Sequence, residues 1–272
     1  MKTVLIGLPE SGKSTALAAL WYSLNDKSES CEWYLDVNDR PKETSVWNDL
    51  RGQWLSGEAI KRTSHQVSPD VLKIKLTHRY DSEEKVSIVT PDIAGEDYEQ
   101  LYETSRFSEK QAKYLKQSDN LVLFIHPQSI SIPVRHKPES ESEGSDSSGQ
   151  DWSPSCMHDF SKIIAMLKAI NSIRNDPFNR LTVVVTAWDA IESGGYAPEE
   201  YVKNNLSLLH QYVETNYQSF YYGISAQGFD YKNQDEHDYE YDEITRIKIV
   251  DQDNSICNDI TKIFTPVINN VG

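Results

Sequence analysis

The chain has 272 residues, enough for one large domain or two small ones around a substantial core, which excludes a disulfide-stapled miniprotein. Its 27 Lys and Arg face 42 Asp and Glu, a formal charge of −15 that repels phosphate backbones and anionic lipid and so argues against a nucleic-acid or membrane-surface binder. Any anion it takes must be held locally, by backbone amides, one or two cations and a metal.

Lys2 to Gly7 is a short apolar run that stops at glycine. Lys13 to Leu24 follows with Leu17, Leu20, Trp21 and Leu24 at helical spacing, which predicts strand, glycine loop and helix. The stretch 25–70 is polar and long and reads as an elaborated connection with one helix at Thr44 to Leu55, where Val46, Leu50 and Trp54 recur every four residues. Val71 to Tyr80 alternates apolar and polar residues, and Lys85 to Thr90 follows a polar turn; the two strands are expected to form a hairpin. A polar helix near Ser108 to Lys116 precedes the unbroken apolar run Asn120 to His126, which suits an interior parallel strand.

Pro138 to Ser153 is acidic and serine-rich and cannot bury enough apolar area to offset ordering, so it is expected to be a disordered loop. A helix at Met157 to Ile173, a strand at Leu181 to Thr186, a helix from Glu199 to Tyr217, a strand at Phe220 to Ile224 and a last helix near Ser255 to Ile268 complete the prediction. Strands alternating with helices predict a doubly wound α/β sheet. A second acidic, tyrosine-bearing insertion occupies 228–245, and the whole of 1–272 is expected to be one domain carrying these excursions.

Cys31, Cys156 and Cys257 form no CxxC pair, and the seven histidines show no HExxH or paired spacing, so neither a disulfide framework nor a zinc site is indicated. No apolar run approaches the ~20 residues of a bilayer span, and the apolar N-terminus is too short for a signal peptide. The expected location is the cytoplasm.

Gly7-Leu8-Pro9-Glu10-Ser11-Gly12-Lys13-Ser14-Thr15 satisfies GxxxxGK[ST] between a predicted strand and a predicted helix, the context a phosphate-binding loop requires. Gly7 and Gly12 permit close approach, so that amides of Glu10, Ser11, Gly12, Lys13, Ser14 and Thr15 can curl around phosphates at a helix N-terminus. Lys13 would bridge the β- and γ-phosphates and the Ser14 hydroxyl would ligate Mg²⁺. The carboxylate of Glu10 must point away from them. After the second hairpin strand, Asp92-Ile93-Ala94-Gly95 matches DxxG: an acid to hold magnesium through water and a glycine whose amide meets the γ-phosphate. Thr186-Ala187-Trp188-Asp189 ends a strand where guanine-specific proteins show [NT]KxD. Asp189 would accept from the guanine N1 and N2 donors, which adenine lacks. Ala187 removes the lysine stem that covers the base, leaving Trp188 or another loop to do so. Ser225-Ala226-Gln227 supplies a small loop whose amides can meet the base carbonyl.

With GxxxxGKS, DxxG, TxxD and SA in this order, the chain resembles a Ras-like, TRAFAC-class P-loop GTPase. Within that class it looks closest to the bacterial double-GTPase-type proteins associated with conflict systems. The resemblance implies a three-layer α/β/α G domain with a mostly parallel six-stranded sheet, Mg²⁺ and GTP or GDP as ligands, and two switch segments that respond to the γ-phosphate. It also implies a first-switch hydroxyl on magnesium, for which Thr63 is preferred over Ser64 and Thr44 because Arg62-Thr63-Ser64 lies shortly before the Val71 strand. Where Ras-like enzymes place a water-orienting glutamine, this chain has Glu96, whose charge beside the γ-phosphate implies slow intrinsic hydrolysis. Arg62, Arg106 or a partner's arginine finger could compensate. The implied activity is GTP hydrolysis with Lys13, Thr63, Gly95 and Glu96 at the reacting phosphate, and metal held by Ser14, Thr63 and Asp92. The implied partners are a protein effector or activator, a second GTPase or another protomer. Two rivals stay open: an ATPase on the same scaffold, because of Ala187, and a GTP-loaded interaction module that does not hydrolyse, because of Glu96 and the acidic insertions.

Overall fold

A computed structural model describes residues 1–26, 28–36, 38–41, 44–57, 60, 71–91, 107, 109–130, 157–176, 178–191, 195–228 and 243–265. The two-residue period of its strands sorts side chains onto two faces. In β1 (Lys2–Ile6), Leu5 packs on one face while Val4 and Ile6 pack on the other. In β5 (Asn120–Ile125), Val122 and Phe124 join Leu5, whereas Leu121, Leu123 and Ile125 join Val4 and Ile6. Every residue of β5 is buried, as the unbroken apolar run requires.

One face is covered by α1 (Lys13–Asp26) and α2 (Ser45–Leu55), the other by α4 (Asp159–Ser172), α5 (Pro198–Asn205) and α6 (Ser207–Asn216). The three-layer α/β/α arrangement follows, with a short α3 (Glu109–Lys116) beside it. The elaborated connection is firmly seated where it is described. Trp47 stacks on Trp21 at 5.2 Å, Trp54 tilts against Tyr22 at 4.9 Å, and the Trp21 indole donates to Asn48 Oδ1 at 3.0 Å, so α2 is clamped to α1 by aromatic contacts.

Among the described residues the sheet has nine strands in the order β2-β3-β4-β1-β5-β6-β7-β8-β9 and is mixed, which corrects the expected six-stranded, mostly parallel sheet. Its centre, β4 (Lys85–Pro91), β1, β5, β6 (Arg180–Thr186) and β7 (Gln218–Ser225), is parallel. The predicted hairpin forms, with β3 (Val71–His78) antiparallel to β4. Beyond it, β2 (Trp33–Leu35) adds an edge strand that its three-residue length hid from pattern reading.

At the other edge, the helix expected near 255–268 is absent over its described part. Buried Ile247 just before β8 (Lys248–Val250) and buried Ile249 within it flank exposed Lys248, and Asp251 Oδ1 accepts from the amides of Asp253 and Ser255 to close a turn with Asn254 at φ +63°. That turn sends β9 (Ile256–Cys257) back antiparallel, and one turn of 3-10 helix, Ile260–Ile263, packs behind it. The single helix expected over 199–217 is broken at Leu206, whose φ −129° and ψ 48° divide α5 from α6.

Candidate functional site

The loop between β1 and α1 is built for close approach. A Cβ on Gly7 would lie 2.7 Å from the Phe124 carbonyl and 2.7 Å from Ser11 Oγ. One on Gly12, at φ +84°, would lie 2.8 Å from both the methyl and the hydroxyl of Thr186. Only glycine fits either position. Glu10 takes a left-handed φ of +59° with its side chain exposed, and its carbonyl accepts from Ser129 Oγ at 3.3 Å. The Lys13 ammonium donates to the carbonyls of Gly7 (2.7 Å) and Leu8 (3.0 Å) and to Ser11 Oγ (2.9 Å). Burial of the ammonium pulls its pKa down to about 7.

The ends of β5 and β6 meet this loop, and the end of β7 joins it through the turn after β6. Thr186, buried at the end of β6, places its hydroxyl 3.1 Å from the Ser11 carbonyl and 3.3 Å from the Ile125 carbonyl, tying β6 and β5 to the loop. His126 follows β5, half-buried, with its Nδ1 accepting from the Gln128 amide at 3.2 Å. Burial lowers its pKa, while the nearby carboxylates of Glu10 and Asp189 act the other way, which sets the imidazole within the fields of both. After β6, Ala187 adopts φ +47° and starts the 3-10 turn Trp188–Ala190. Asp189 is exposed, and its amide donates to the buried Ser225 Oγ at 3.0 Å, which joins the TxxD turn to the loop after β7.

Trp188 does not cover an open face. It is 8% exposed, lies edge-on to Tyr201 at 5.7 Å, and would meet a Cβ on Gly223 at 2.4 Å, so its ring is core packing. The residues that support the loop after β7 carry no mark in the sequence. The buried Trp54 indole N–H donates to the Ala226 carbonyl at 2.8 Å. Gln227 Nε2 and Arg246 Nη1 each reach the Trp54 carbonyl at 3.4 Å, and the Arg246 guanidinium lies 5.2 Å over the Trp54 ring. Helical spacing identified Trp54 as a core residue, but no local signal marks a contact across 172 positions.

Lys13, Thr186, Asp189, Ser225 and Ala226 therefore gather at the ends of β1, β6 and β7 that follow in the chain direction, where ligands bind in open α/β sheets. The cradle that a Cβ at Gly7 or Gly12 would fill, with a desolvated ammonium inside it, fits a polyphosphate. The exposed Ser14 beside it offers a hard oxygen for the accompanying cation. Thr44 begins α2. Thr63, Asp92, Gly95 and Glu96, with Arg62, Ser64, Arg106 and the 138–153 loop, lie outside the described residues.

A profile of the family described as Double-GTPase 1 matches residues 4–265. Comparison with curated proteins returns no match. Among solved structures, the chain is similar to the Ski7 GTPase-like domain of S. cerevisiae bound to GTP, at 13% identity and TM-score 0.42, covering 89% of this chain and 46% of that one. The same domain bound to GDP and inorganic phosphate matches at 13% identity and TM-score 0.41 with the same coverage. The signal recognition particle receptor SRb-GTP/SRX complex of Chaetomium thermophilum matches at 14% identity and TM-score 0.37, covering 84% of this chain and 92% of that one. The chain thus spans less than half the length of the Ski7 chains it matches.

Proposed function

The chain belongs to the Double-GTPase 1 family, and from that premise we propose that it binds GTP with Mg²⁺, hydrolyses it to GDP and phosphate, and acts as a nucleotide switch toward a protein partner. The observation that carries this reading is the joining of two half-sites through β6. Thr186 ties it to the phosphate loop at Ser11, and three residues later Asp189 is tied to Ser225 of the last loop. A phosphate cradle and a base-reading carboxylate are thereby held on one rigid strand end.

Each described residue has a task in this reading. The Lys13 ammonium neutralises the β- and γ-phosphates, and the loop amides from Glu10 to Thr15 together with the α1 N-terminus hold their oxygens. Asp189 accepts from guanine N1 and N2, and the amides of the Ser225-Ala226 loop meet the base carbonyl. Mg²⁺, when bound, supplies further neutralisation of developing phosphate charge, and Ser14 with Thr63 and Asp92 would hold it. Gly95 and Glu96 are the proposed groups that hold the attacking water, and the charge of Glu96 makes the intrinsic rate slow. We further propose that 1–272 is one G domain, with the 25–70 connection, the 138–153 loop and the 228–245 insertion as excursions from it. The partner is proposed to be a protein effector or activator, a second GTPase or another protomer.

Calorimetric titration with non-hydrolysable GTP and ATP analogues, with and without Mg²⁺, tests the reading. A Mg²⁺-dependent preference for the guanine analogue that collapses in Asp189→Asn supports it. Equal or adenine-favouring binding overturns it in favour of an ATPase, with TxxD a structural turn. Bound GTP that survives unchanged over hours, with or without candidate partners, overturns hydrolysis and leaves an interaction module.

A further inference from the structure

Two features of the base side leave its loop with more to do than a lysine-bearing site would. Ala187 provides no stem to lie over a base, and Trp188 is committed to the core against Tyr201 and Gly223. Recognition then depends on Asp189 and on the backbone of Ser225, Ala226 and Gln227, and a backbone reads a base only if its peptide planes are held in one orientation. A trans peptide is planar, with its C=O and the following N–H pointing in opposite directions, so fixing one fixes the other.

The Ala226–Gln227 peptide is fixed in this way from within the core. The Trp54 indole N–H meets the Ala226 carbonyl at 2.8 Å, and Trp54 is fully buried. The Gln227 amide of that peptide must therefore point away from Trp54. Further contacts reinforce the grip. The Gln227 side chain donates back to the Trp54 carbonyl, Arg246 donates to the same carbonyl and lies over the indole, and Gly228, at φ +78°, passes so close to Arg246 that a Cβ would lie 2.9 Å from its Cα. Tyr22 of α1 backs the indole at 4.9 Å.

We propose that Trp54, on α2 of the connection ahead of β3, is a positioning residue for guanine recognition: its indole N–H orients the Ala226–Gln227 peptide so that the Gln227 amide is presented to the 6-carbonyl of the base. This rests on the guanine-binding reading above. Trp54 itself touches no nucleotide, and it acts by removing the freedom of the one peptide whose turning would lose the contact.

The experiment compares GDP with 2-aminoadenosine diphosphate, which keeps the 2-amino group, ribose and phosphates of GDP, replaces the 6-carbonyl with an amine and loses the N1 proton; the N1 change acts at Asp189 in parent and variant alike, so the change in preference between the two proteins reads the 6-carbonyl contact. Binding is measured for the parent and for Trp54→Phe, which keeps an aromatic ring against Tyr22 and removes the N–H donor. The parent is expected to favour GDP, and Trp54→Phe to reduce that preference about tenfold, the worth of one hydrogen bond, with affinity for 2-aminoadenosine diphosphate unchanged within about twofold. If both ligands weaken equally, or the preference is unchanged, the residue is packing alone and the proposal is overturned while guanine binding stands. A parent that does not favour GDP overturns the guanine reading itself, and this inference with it. Should Trp54→Phe fail to fold, site-specific replacement of Trp54 by its benzothienyl isostere, with sulfur in place of N–H, preserves the shape and is read by the same ratio.

Discussion

The proposed phosphate side and the proposed base side of this site are built on different principles. The phosphate cradle is local: Gly7 to Thr15 supply the close approaches, the ammonium and the helix N-terminus within nine consecutive residues, and distant strands only brace it through Thr186 and Ser129. The base side is assembled from Trp54, Asp189, Ser225 to Gly228 and Arg246, which lie up to 192 positions apart and meet only because β6 and β7 are neighbours and α2 is clamped beneath them. A local site is sensitive to the identity of its own residues. An assembled one is sensitive to the contacts that bring its parts into register.

The sharpest way to break this contrast is Lys13→Ala, which removes the cation from the cradle. Triphosphate affinity is expected to fall by roughly 100-fold or more and hydrolysis to be lost, while the fold is kept, as read by calorimetry and circular dichroism. A variant that binds and turns over GTP like the parent would refute the assignment. Asp189→Asn comes next. It should lower the preference for guanine over adenine by roughly 10- to 100-fold with little change in the contribution of the phosphates, because it alters donor recognition and leaves the cradle alone.

Gly223→Ala probes the packing beneath the base side. A Cβ 2.4 Å from the Trp188 ring must displace it, at about 1–3 kcal/mol of stability measured by denaturant unfolding, and guanine affinity should weaken because Asp189 adjoins that residue. Thr186→Val tests the brace between the two sides. Losing a buried hydroxyl that serves the Ser11 and Ile125 carbonyls should cost about 1–2 kcal/mol and weaken GTP and ATP analogues alike, in contrast to the base-selective effect of Asp189→Asn.

A subtler effect concerns pH. Burial lowers the Lys13 pKa to about 7, whereas an unfolded lysine holds its proton to about 10.5. The unfolded state therefore binds more protons between those values, and stability measured without added nucleotide should rise with pH across that window. Bound phosphates restore the ammonium, so nucleotide binding near pH 8 should take up a proton, and affinity should fall by up to about tenfold per pH unit above 7. Calorimetry in buffers of different ionisation enthalpy reads this directly, and Lys13→Ala should abolish it.

The sequence by itself determined the parts whose physics is local. A strand that stops at glycine, a GxxxxGK[ST] loop and a helix start could be read because close backbone approach and helix polarity depend on neighbouring residues, and the buried strand β5 is legible as an unbroken apolar run. The β3–β4 hairpin was legible from alternation and its polar turn. Tertiary structure decided the rest. β2 and β9 are three and two residues long, too short for a period, and are strands only because a neighbouring strand offers its edge. The C-terminal stretch read as helix became a hairpin and one 3-10 turn because the Asp251 turn and the edge of β7 favour it over isolated helical spacing. Trp188 looked free to cover a base until packing against Gly223 and Tyr201 claimed it, and Trp54 looked like one more core residue until its N–H was found on Ala226. A hydrogen bond spanning 172 residues leaves no trace in spacing or composition; it exists only once the sheet has brought its two ends together.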